Sequence, residues 1–195
     1  MRRGNPHEHL PHLRIIVNDE KHEAKARGIL NKVGVDPTAV EFFRIPTDRG
    51  WTRDFGPIFV RKGKTTAIAG FRFNAWAKYS DHKKDAKVAE KLAKRLGKQY
   101  LPVMHNGNKF VLEGGAIDVN GQGTLITTEE CLLDQTIQVR NPGVSRKEYE
   151  KVLHESLGAT NVLWLNKGIA GDDTHGHVDD LCRFVNERTV ILCRE

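Results

Sequence analysis

The sequence predicts an α/β protein built from three similar units, each with one helix and several strands. Two observations carry this prediction. Three amphipathic stretches each end at a glycine, and the glycines at 34, 97 and 158 are 63 and 61 positions apart. After each glycine come a short apolar strand, a segment with charged residues among glycines, and strands joined by turns. Regular spacing of this kind indicates a repeat architecture.

The three predicted helices have clear end signals. They run from about Glu20 to Val33, from about Asp81 to Leu96 and from about Lys147 to Leu157. A glycine directly after each helix favours a left-handed C-cap. The third helix is preceded by Ser145-x-x-Glu148, the pattern of a capping box.

The predicted strands follow the helices. The apolar segments after the three glycines are Val40–Ile45, Tyr100–Val103 and Val162–Leu165. Hairpin turns are predicted at Asn120-Gly121 and at Asn186–Arg188. We expect repeat units at about 13–70, 71–140 and 141–195, after an N-terminal tail of residues 1–12. Since an open row of units exposes strand edges, we expect self-association into a homo-oligomer.

Composition excludes several protein classes. The 195 residues include 14 aromatics, enough with the β-branched residues to build a core, so a disordered chain is excluded. No apolar run approaches the roughly 18 residues of a membrane span, and three cysteines cannot all pair. The first residues lack the apolar region of a secretion signal, so we expect a cytoplasmic protein without membrane partners.

The net charge of +6 comes largely from lysines between His82 and Lys98. In this stretch Val88, Leu92 and Leu96 fall on one helical stripe and the lysines on the opposite face. A solvated helix surface is the usual outcome of such a pattern, and no nucleic-acid-binding motif accompanies it. We therefore expect no nucleic-acid partner.

Three segments place acids and a histidine where packing does not require them. They are Trp51–Pro57, Glu113–Gly115 and Thr174–Asp180, at equivalent places in the three units. Asp54 and Glu113 are 59 positions apart, and Glu113 and His177 are 64 apart. A repeat would bring one shared group of side chains together: Asp54, Glu113, His177 and Asp179. His177 and Asp179 are two positions apart, so on a strand they would face the same side. Three clustered carboxylates favour a cationic ligand, and a planar guanidinium matches them best.

Other interpretations of these motifs stay open. Arg53-Asp54 is also compatible with a surface ion pair, and Glu113-Gly-Gly with a β-bulge. The set His175-x-His177-x-Asp179 is similar to the metal ligands of some hydrolases, although the glycine at 176 favours a turn. We expect no metal. The histidines at 7, 9 and 12 are predicted to lie in a mobile tail.

At these residues the sequence resembles the agmatine deiminase family, part of the guanidino-group-modifying superfamily that also contains bacterial-type peptidylarginine deiminases. The matching stretches are Arg44–Val60, Phe110–Leu133 and Asp172–Val185. The resemblance implies a five-bladed α/β propeller, the pentein fold. This chain would form a partial propeller of about three of the five units.

The resemblance also implies a chemistry without a cofactor: hydrolysis of agmatine to N-carbamoylputrescine and ammonia. A cysteine thiolate attacks the guanidinium carbon, and water resolves the thiouronium intermediate. By motif, Asp54 and Asp179 would clamp the guanidinium, and His177 would be the general acid and then the base. Glu113 would hydrogen-bond His177 and raise its pKa, and Trp51 would help to wall the pocket.

The cysteines depart from the family pattern. The family's nucleophile lies in a glycine-rich stretch near the end of a longer chain, and we expect this chain to lack it, as if truncated at both ends, and to be inactive alone. Cys131 matches a position that is often non-catalytic, and Cys182 and Cys193 are predicted to be buried and inert. Peptidylarginine or arginine deimination, a non-catalytic guanidinium- or polyamine-binding remnant and a metal-dependent hydrolase remain alternatives.

Overall fold

The chain contains both helices and strands, as the sequence predicts. The computed structural model describes residues 13–194, so the tail of residues 1–12 with its three histidines lies outside the described part. Two units are resolved by their internal contacts, one ending at Thr47 and one beginning at Asp48. The predicted repeat boundaries remain a prediction.

The first unit contains two parallel strands joined by a helix. Strand β1 spans Leu13–Val17, helix α1 spans Glu20–Lys32 and strand β2 spans Val40–Arg44, with Leu13 paired to Val40. Helix α1 begins where the Asp19 carboxylate accepts the backbone N–H of His22 at 2.8 Å. This bond satisfies one of the free donors at the helix start.

The second unit contains four helices and ten strands among the described residues. The helices are α2 (Thr52–Phe55), α3 (Val88–Arg95), α4 (Glu129–Leu133) and α5 (Arg146–Leu157). The first five strands are β3 (Ile58–Lys62), β4 (Thr65–Gly70), β5 (Gln99–Pro102), β6 (Met104–His105) and β7 (Asn108–Lys109). The others are β8 (Asp118–Val119), β9 (Thr124–Thr128), β10 (Asn161–Leu165), β11 (Cys182–Asn186) and β12 (Thr189–Leu192).

The sheets of the second unit repeat one topology. An antiparallel pair, β3 with β4, leads through α3 to the parallel strand β5. In the same way β8 pairs antiparallel with β9, and α5 leads to the parallel strand β10. Strands β11 and β12 form a further hairpin. Both predicted hairpins are present, although the first closes through the four residues 120–123 rather than through a two-residue turn.

Helix α3 begins later than predicted, at Val88 rather than near Asp81. The cause is a set of side-chain to backbone bonds that compete with helix formation. The carboxylate of buried Asp85 accepts the N–H of Asp48 at 2.7 Å, and the Asp48 carboxylate accepts the N–H of Lys84 at 2.8 Å. The helix itself buries the apolar stripe as expected, through Val88, Ala89, Leu92 and Ala93.

The main hydrophobic core fixes the segment that leads into the predicted site. Phe110 and Leu112 are buried in this core with Tyr149 and Leu153 of α5. The rings of Phe110 and Tyr149 meet edge to face with centroids 5.0 Å apart. Because Leu112 directly precedes Glu113, core packing determines where this acid lies.

The predicted burial of the cysteines is correct for Cys182 and wrong for Cys193. Cys182 is buried on β11, whereas Cys193 lies just after β12 and is exposed. The apolar pattern of β12 suggested a covered strand, but all four of its residues are exposed. None of the helices in residues 13–194 is long and apolar enough to cross a membrane.

The capping box of α5 is formed as predicted. Ser145 Oγ accepts the N–H of Glu148, and the Glu148 carboxylate accepts the N–H of Ser145 at 2.8 Å. We expect Ser145→Ala to lower the free energy of unfolding by about 1 kcal/mol, because it frees two donors of the first turn. Urea denaturation measures this loss. Ser156→Ala, later in the same helix, removes only a bond to the Val152 carbonyl and serves as control. An equal loss in both variants would contradict the capping role.

Candidate functional site

Asp54 is held in a fixed orientation at the end of a single helical turn. It lies in α2, its side chain is buried, and both carboxylate oxygens accept hydrogen bonds. Trp76 Nε1 donates to Oδ2 at 3.0 Å, and the backbone N–H of Gly115 donates to Oδ1 at 3.0 Å. Burial raises the pKa of Asp54 above its ordinary value, although nearby His177 opposes this shift.

Glu113 forms a fully buried ion pair with Arg140. It lies just before the short turn Gly114–Ala116, and Arg140 Nε lies 3.1 Å from Glu113 Oε1 with both side chains 0% exposed. Burial alone would raise the pKa of Glu113, but Arg140 and His177 together outweigh burial and lower this pKa. Glu113 is therefore an anion within the protein interior.

His177 lies at the end of a loop of residues 172–177, called here the histidine loop, which is held by several hydrogen bonds. The Asp172 carboxylate accepts backbone N–H groups from Thr174 at 2.7 Å, Gly176 at 2.8 Å and His177 at 2.9 Å. Arg140 Nη2 donates to the carbonyl of Thr174. The loop needs left-handed backbone at Gly176, where φ is +91°, and a glycine adopts this conformation without strain. His177 is consequently held in a buried position.

The structure brings the four predicted site residues together. His177 Nδ1 lies 3.7 Å from Asp179 Oδ1 and 3.8 Å from Asp54 Oδ1. On the other side of the imidazole, Nε2 lies 3.8 Å from Glu113 Oε2. The side chains of His177, Asp54 and Glu113 are at most 6% exposed, and that of Asp179 is 19% exposed. The shared phase of the repeat therefore predicted a real cluster.

The predicted hydrogen bond between Glu113 and His177 is not formed, since 3.8 Å is too long for one. Arg140 occupies the Glu113 carboxylate instead, with Nε within 3.4 Å of both oxygens. The electrostatic effect expected from Glu113 is nevertheless present. Burial lowers the pKa of His177, but the negative charges of Glu113 and Asp54 outweigh it and raise the pKa above its ordinary value.

His177 and Asp179 do not share a strand face, as alternation along a strand would require. His177 precedes a short 3₁₀ turn over Val178–Asp180, which carries Asp179 back toward the imidazole. Burial raises the pKa of Asp179, as it does for Asp54, with His177 opposing. Both carboxyl groups thus face one side of the imidazole.

Gly115 lies at the centre of the cluster. A Cβ atom at this position would be 2.5 Å from His177 Nδ1, 2.6 Å from Asp54 Oδ1 and 3.0 Å from Asp179 Oδ1. We expect Gly115→Ala to destabilise the fold by about 1–3 kcal/mol through overpacking, measured by urea denaturation. Gly28→Ala in α1, where a Cβ meets nothing within 4 Å, is the control and should not destabilise. Unchanged stability of the Gly115 variant would contradict this expectation, because it would mean that the side chains around Gly115 leave room for a methyl group.

The remaining predicted residues lie at the edge of the cluster. Trp51 directly precedes α2 and is 60% exposed, and its role as a pocket wall stays a prediction. Arg53 is exposed, with Nε 4.0 Å from Asp179 Oδ2. His175 is paired with Asp134 through Nε2 and Oδ2 at 2.8 Å. Within the described residues His175 therefore does not join His177 and Asp179 in a metal-sized cluster.

Three supporting residues were not identified from the sequence. Arg140 pairs with Glu113, Asp172 binds the histidine loop, and Trp76 orients Asp54. Trp76 lies in a run of left-handed residues with φ of +51°, +60° and +53° at Ala75, Trp76 and Ala77. Such strain persists where the surroundings impose it, commonly at functional sites. No local sequence pattern signals this conformation.

Comparison with known proteins shows the family of this chain. The sequence model of the Porphyromonas-type peptidyl-arginine deiminase family matches residues 8–195. The chain belongs to this family. Among its relatives, a putative agmatine deiminase from Selenomonas ruminantium is 39% identical over 91% of this chain and 47% of its own length. Agmatine deiminase from Ectopseudomonas mendocina is 42% identical over 81% of this chain and 43% of its own length.

The similarity to a solved structure confirms the predicted fold class. A cysteine-to-serine variant of C. jejuni agmatine deiminase with substrate bound superposes with a TM-score of 0.77 at 32% identity. The superposition covers 92% of this chain and 50% of the C. jejuni chain. The predicted resemblance and the partial α/β propeller are thus confirmed, and the chain spans about half the length of the curated relatives it matches.

Proposed function

We propose that this chain binds the guanidinium group of agmatine and takes part in its hydrolysis to N-carbamoylputrescine and ammonia. One observation carries the proposal. The Oδ1 atoms of Asp54 and Asp179 both lie within 3.8 Å of His177 Nδ1, so two carboxylates flank a single proton-transfer group. The names of the agmatine deiminase relatives support agmatine as the substrate.

The two aspartates suit a guanidinium ligand electrostatically. Asp54, Glu113 and Asp179 provide three carboxylates, while Arg140 is the cation paired within the buried cluster. Arg140 is already engaged by Glu113, which leaves Asp54 and Asp179 to bind an external cation. The planar N–H groups of a guanidinium can donate to two carboxylates at once.

His177 is suited to transfer protons in this reaction. Its raised pKa increases the protonated fraction near neutral pH, so the imidazolium can donate a proton to the leaving amino group, which departs as ammonia when the C–N bond breaks. The resulting neutral imidazole can then accept a proton from the attacking water. Glu113 stabilises the charged form and acts on the reaction through His177.

We propose further that the reacting thiol is none of the three cysteines of this sequence. The thiolate is the attacking species in such reactions. Burial raises the pKa of the Cys131 thiol and, less strongly, that of Cys182. Cys193 is exposed but lies beyond β12, with Sγ against the Asp180 carbonyl.

Ammonia release from agmatine tests both parts of the proposal. We expect none from the chain alone, and release once a polypeptide carrying the remaining half of a family member is supplied. Full activity of the chain alone would contradict the statement about the thiol. Calorimetry with agmatine separates the catalytic from the non-catalytic alternative, since a binding remnant would bind agmatine yet never release ammonia. Competition with arginine and with an arginyl peptide tests the substrate choice.

The affinity for agmatine should depend on pH through the two aspartates. Burial raises the pKa of Asp54 and of Asp179, so both accept protons at a higher pH than an ordinary aspartate. We expect the affinity for agmatine to be highest near pH 7. As the pH is lowered, the affinity should begin to fall while the pH is still clearly above about 3.9, the ordinary aspartate pKa. Calorimetric titrations at several pH values measure this. Binding that stays constant down to that pH would contradict the assignment of the clamp.

Two further expectations stay proposals. Self-association through exposed strands is supported by β12, whose residues Val190, Ile191 and Leu192 are all at least 40% exposed. Sedimentation that finds a stable monomer would count against it. A cytoplasmic location also remains a prediction.

A further inference from the structure

The imidazole of His177 has a nitrogen that the proposed chemistry leaves unexplained. Its side chain is 3% exposed, and Nε2 has no hydrogen-bond partner among the residues that the structure describes. Buried polar atoms without a partner are uncommon, because each costs about 1–3 kcal/mol. This atom faces the Glu113 carboxylate, with Oε2 3.8 Å away.

Cys131 brings a thiol to the same place. It lies in the one-turn helix α4, where Thr128 Oγ1 accepts its backbone N–H at 3.0 Å. The Cys131 sulfur, a Glu113 carboxylate oxygen and a His177 ring nitrogen all lie within 4.8 Å of one another, and all three residues are buried. Thiolate, imidazole and carboxylate are the three ligand types that zinc takes in proteins.

The local charge also favours a cation. Glu113, Asp54 and Asp179 contribute three carboxylates around His177, and Arg140 contributes one buried positive charge. Loss of the thiol proton from Cys131 would add a further negative charge. A divalent ion would compensate this excess, even beside Arg140.

We infer that Glu113, Cys131 and His177 form a binding site for a thiophilic divalent cation of the zinc and cadmium class. On binding, the Cys131 thiol releases its proton to solvent as the metal–sulfur bond forms. His177 binds through the lone pair of neutral Nε2, and where the imidazole is protonated that proton also passes to solvent. Zinc bond lengths imply ligand atoms roughly 3.3–3.6 Å apart, so small side-chain rotations must draw the three groups together. Because the bound ion is coordinated by a ring nitrogen of His177, His177 cannot transfer protons while the ion is bound.

Cadmium binding to the isolated chain tests this site without any reference to agmatine or to activity. The chain, freed of metal by a chelator, is titrated with Cd²⁺ alone, and the ultraviolet charge-transfer absorption of a cadmium–thiolate bond is recorded. Histidines elsewhere in the chain do not give this band. We expect one equivalent of Cd²⁺ to produce it, with higher affinity as the pH rises, because thiol deprotonation accompanies binding.

Variants assign the ligands. Cys131→Ser should abolish the band, whereas Cys193→Ser, which removes the exposed thiol, should leave it unchanged. His177→Asn should weaken Cd²⁺ binding at least about tenfold. Circular dichroism verifies that each variant is folded. The absence of a band in the wild-type chain, or a band that persists in Cys131→Ser, would overturn the site.

Discussion

Replacement of Arg140 by methionine should lower the free energy of unfolding by about 3–5 kcal/mol, because it leaves the Glu113 carboxylate buried without its cation. Both side chains are 0% exposed, so solvent cannot compensate for the lost charge. Arg140 also donates to the carbonyls of Gln138 and Thr174, which would lose their donor as well. Urea denaturation at neutral pH measures the change.

Arg146→Met is the matched control for this substitution. Arg146 pairs with Glu129, but both side chains are at least 40% exposed, so its loss should cost less than about 1 kcal/mol. A second measurement identifies the mechanism. Without Arg140, burial would raise the pKa of Glu113 above its value in the unfolded chain. The loss of unfolding free energy in Arg140→Met, relative to the wild type, should therefore be largest at neutral pH and shrink as acidification protonates Glu113. A pH-independent deficit, or equal losses in the two variants, would refute the ion-pair explanation.

Asp54→Asn should weaken agmatine binding by about 100-fold or more, because it removes one charge of the proposed clamp. Both oxygens of Asp54 are hydrogen-bond acceptors, for Trp76 Nε1 and for the N–H of Gly115. An asparagine amide would turn one acceptor into a donor facing another donor. Calorimetric titration of the folded variant with agmatine measures the loss.

Asp81→Asn provides the corresponding control. Asp81 is exposed and paired with Arg49, so agmatine affinity should change less than about twofold. A parallel measurement of unfolding separates a lost clamp from a lost fold. Agmatine binding that survives in Asp54→Asn at wild-type strength would remove Asp54 from the clamp.

The sequence predicted the members of the cluster because repetition places equivalent positions around one centre. Asp54, Glu113 and His177 lie about 60 residues apart, and no local pattern shorter than the repeat connects them. The same reasoning failed for the local path of the chain. It placed His177 and Asp179 on a strand, whereas a 3₁₀ turn carries them, since Gly176 and the Asp172 hydrogen bonds bend the backbone there.

The supporting residues escaped prediction for a different physical reason. An arginine such as Arg140 is ordinarily solvated, and only the tertiary structure shows that this one is fully buried. Trp76 looks like a simple core aromatic, and its left-handed backbone depends on its surroundings rather than on its own preference. Cys193 was misjudged because an apolar strand pattern cannot show whether another element covers it.

Arg140 contacts two segments that are distant in sequence, the Glu113 side chain and the Thr174 carbonyl of the histidine loop. Removing a guanidinium from water is compensated only when both partners are in place. If only one partner were in place, the buried Arg140 guanidinium would lack part of its hydrogen bonding and charge pairing. In partly folded states Arg140 therefore stays in contact with water, and the loop that carries Thr174 is not yet packed against it. The acid and the histidine therefore become ordered in one cooperative step, and local opening of either segment releases the other.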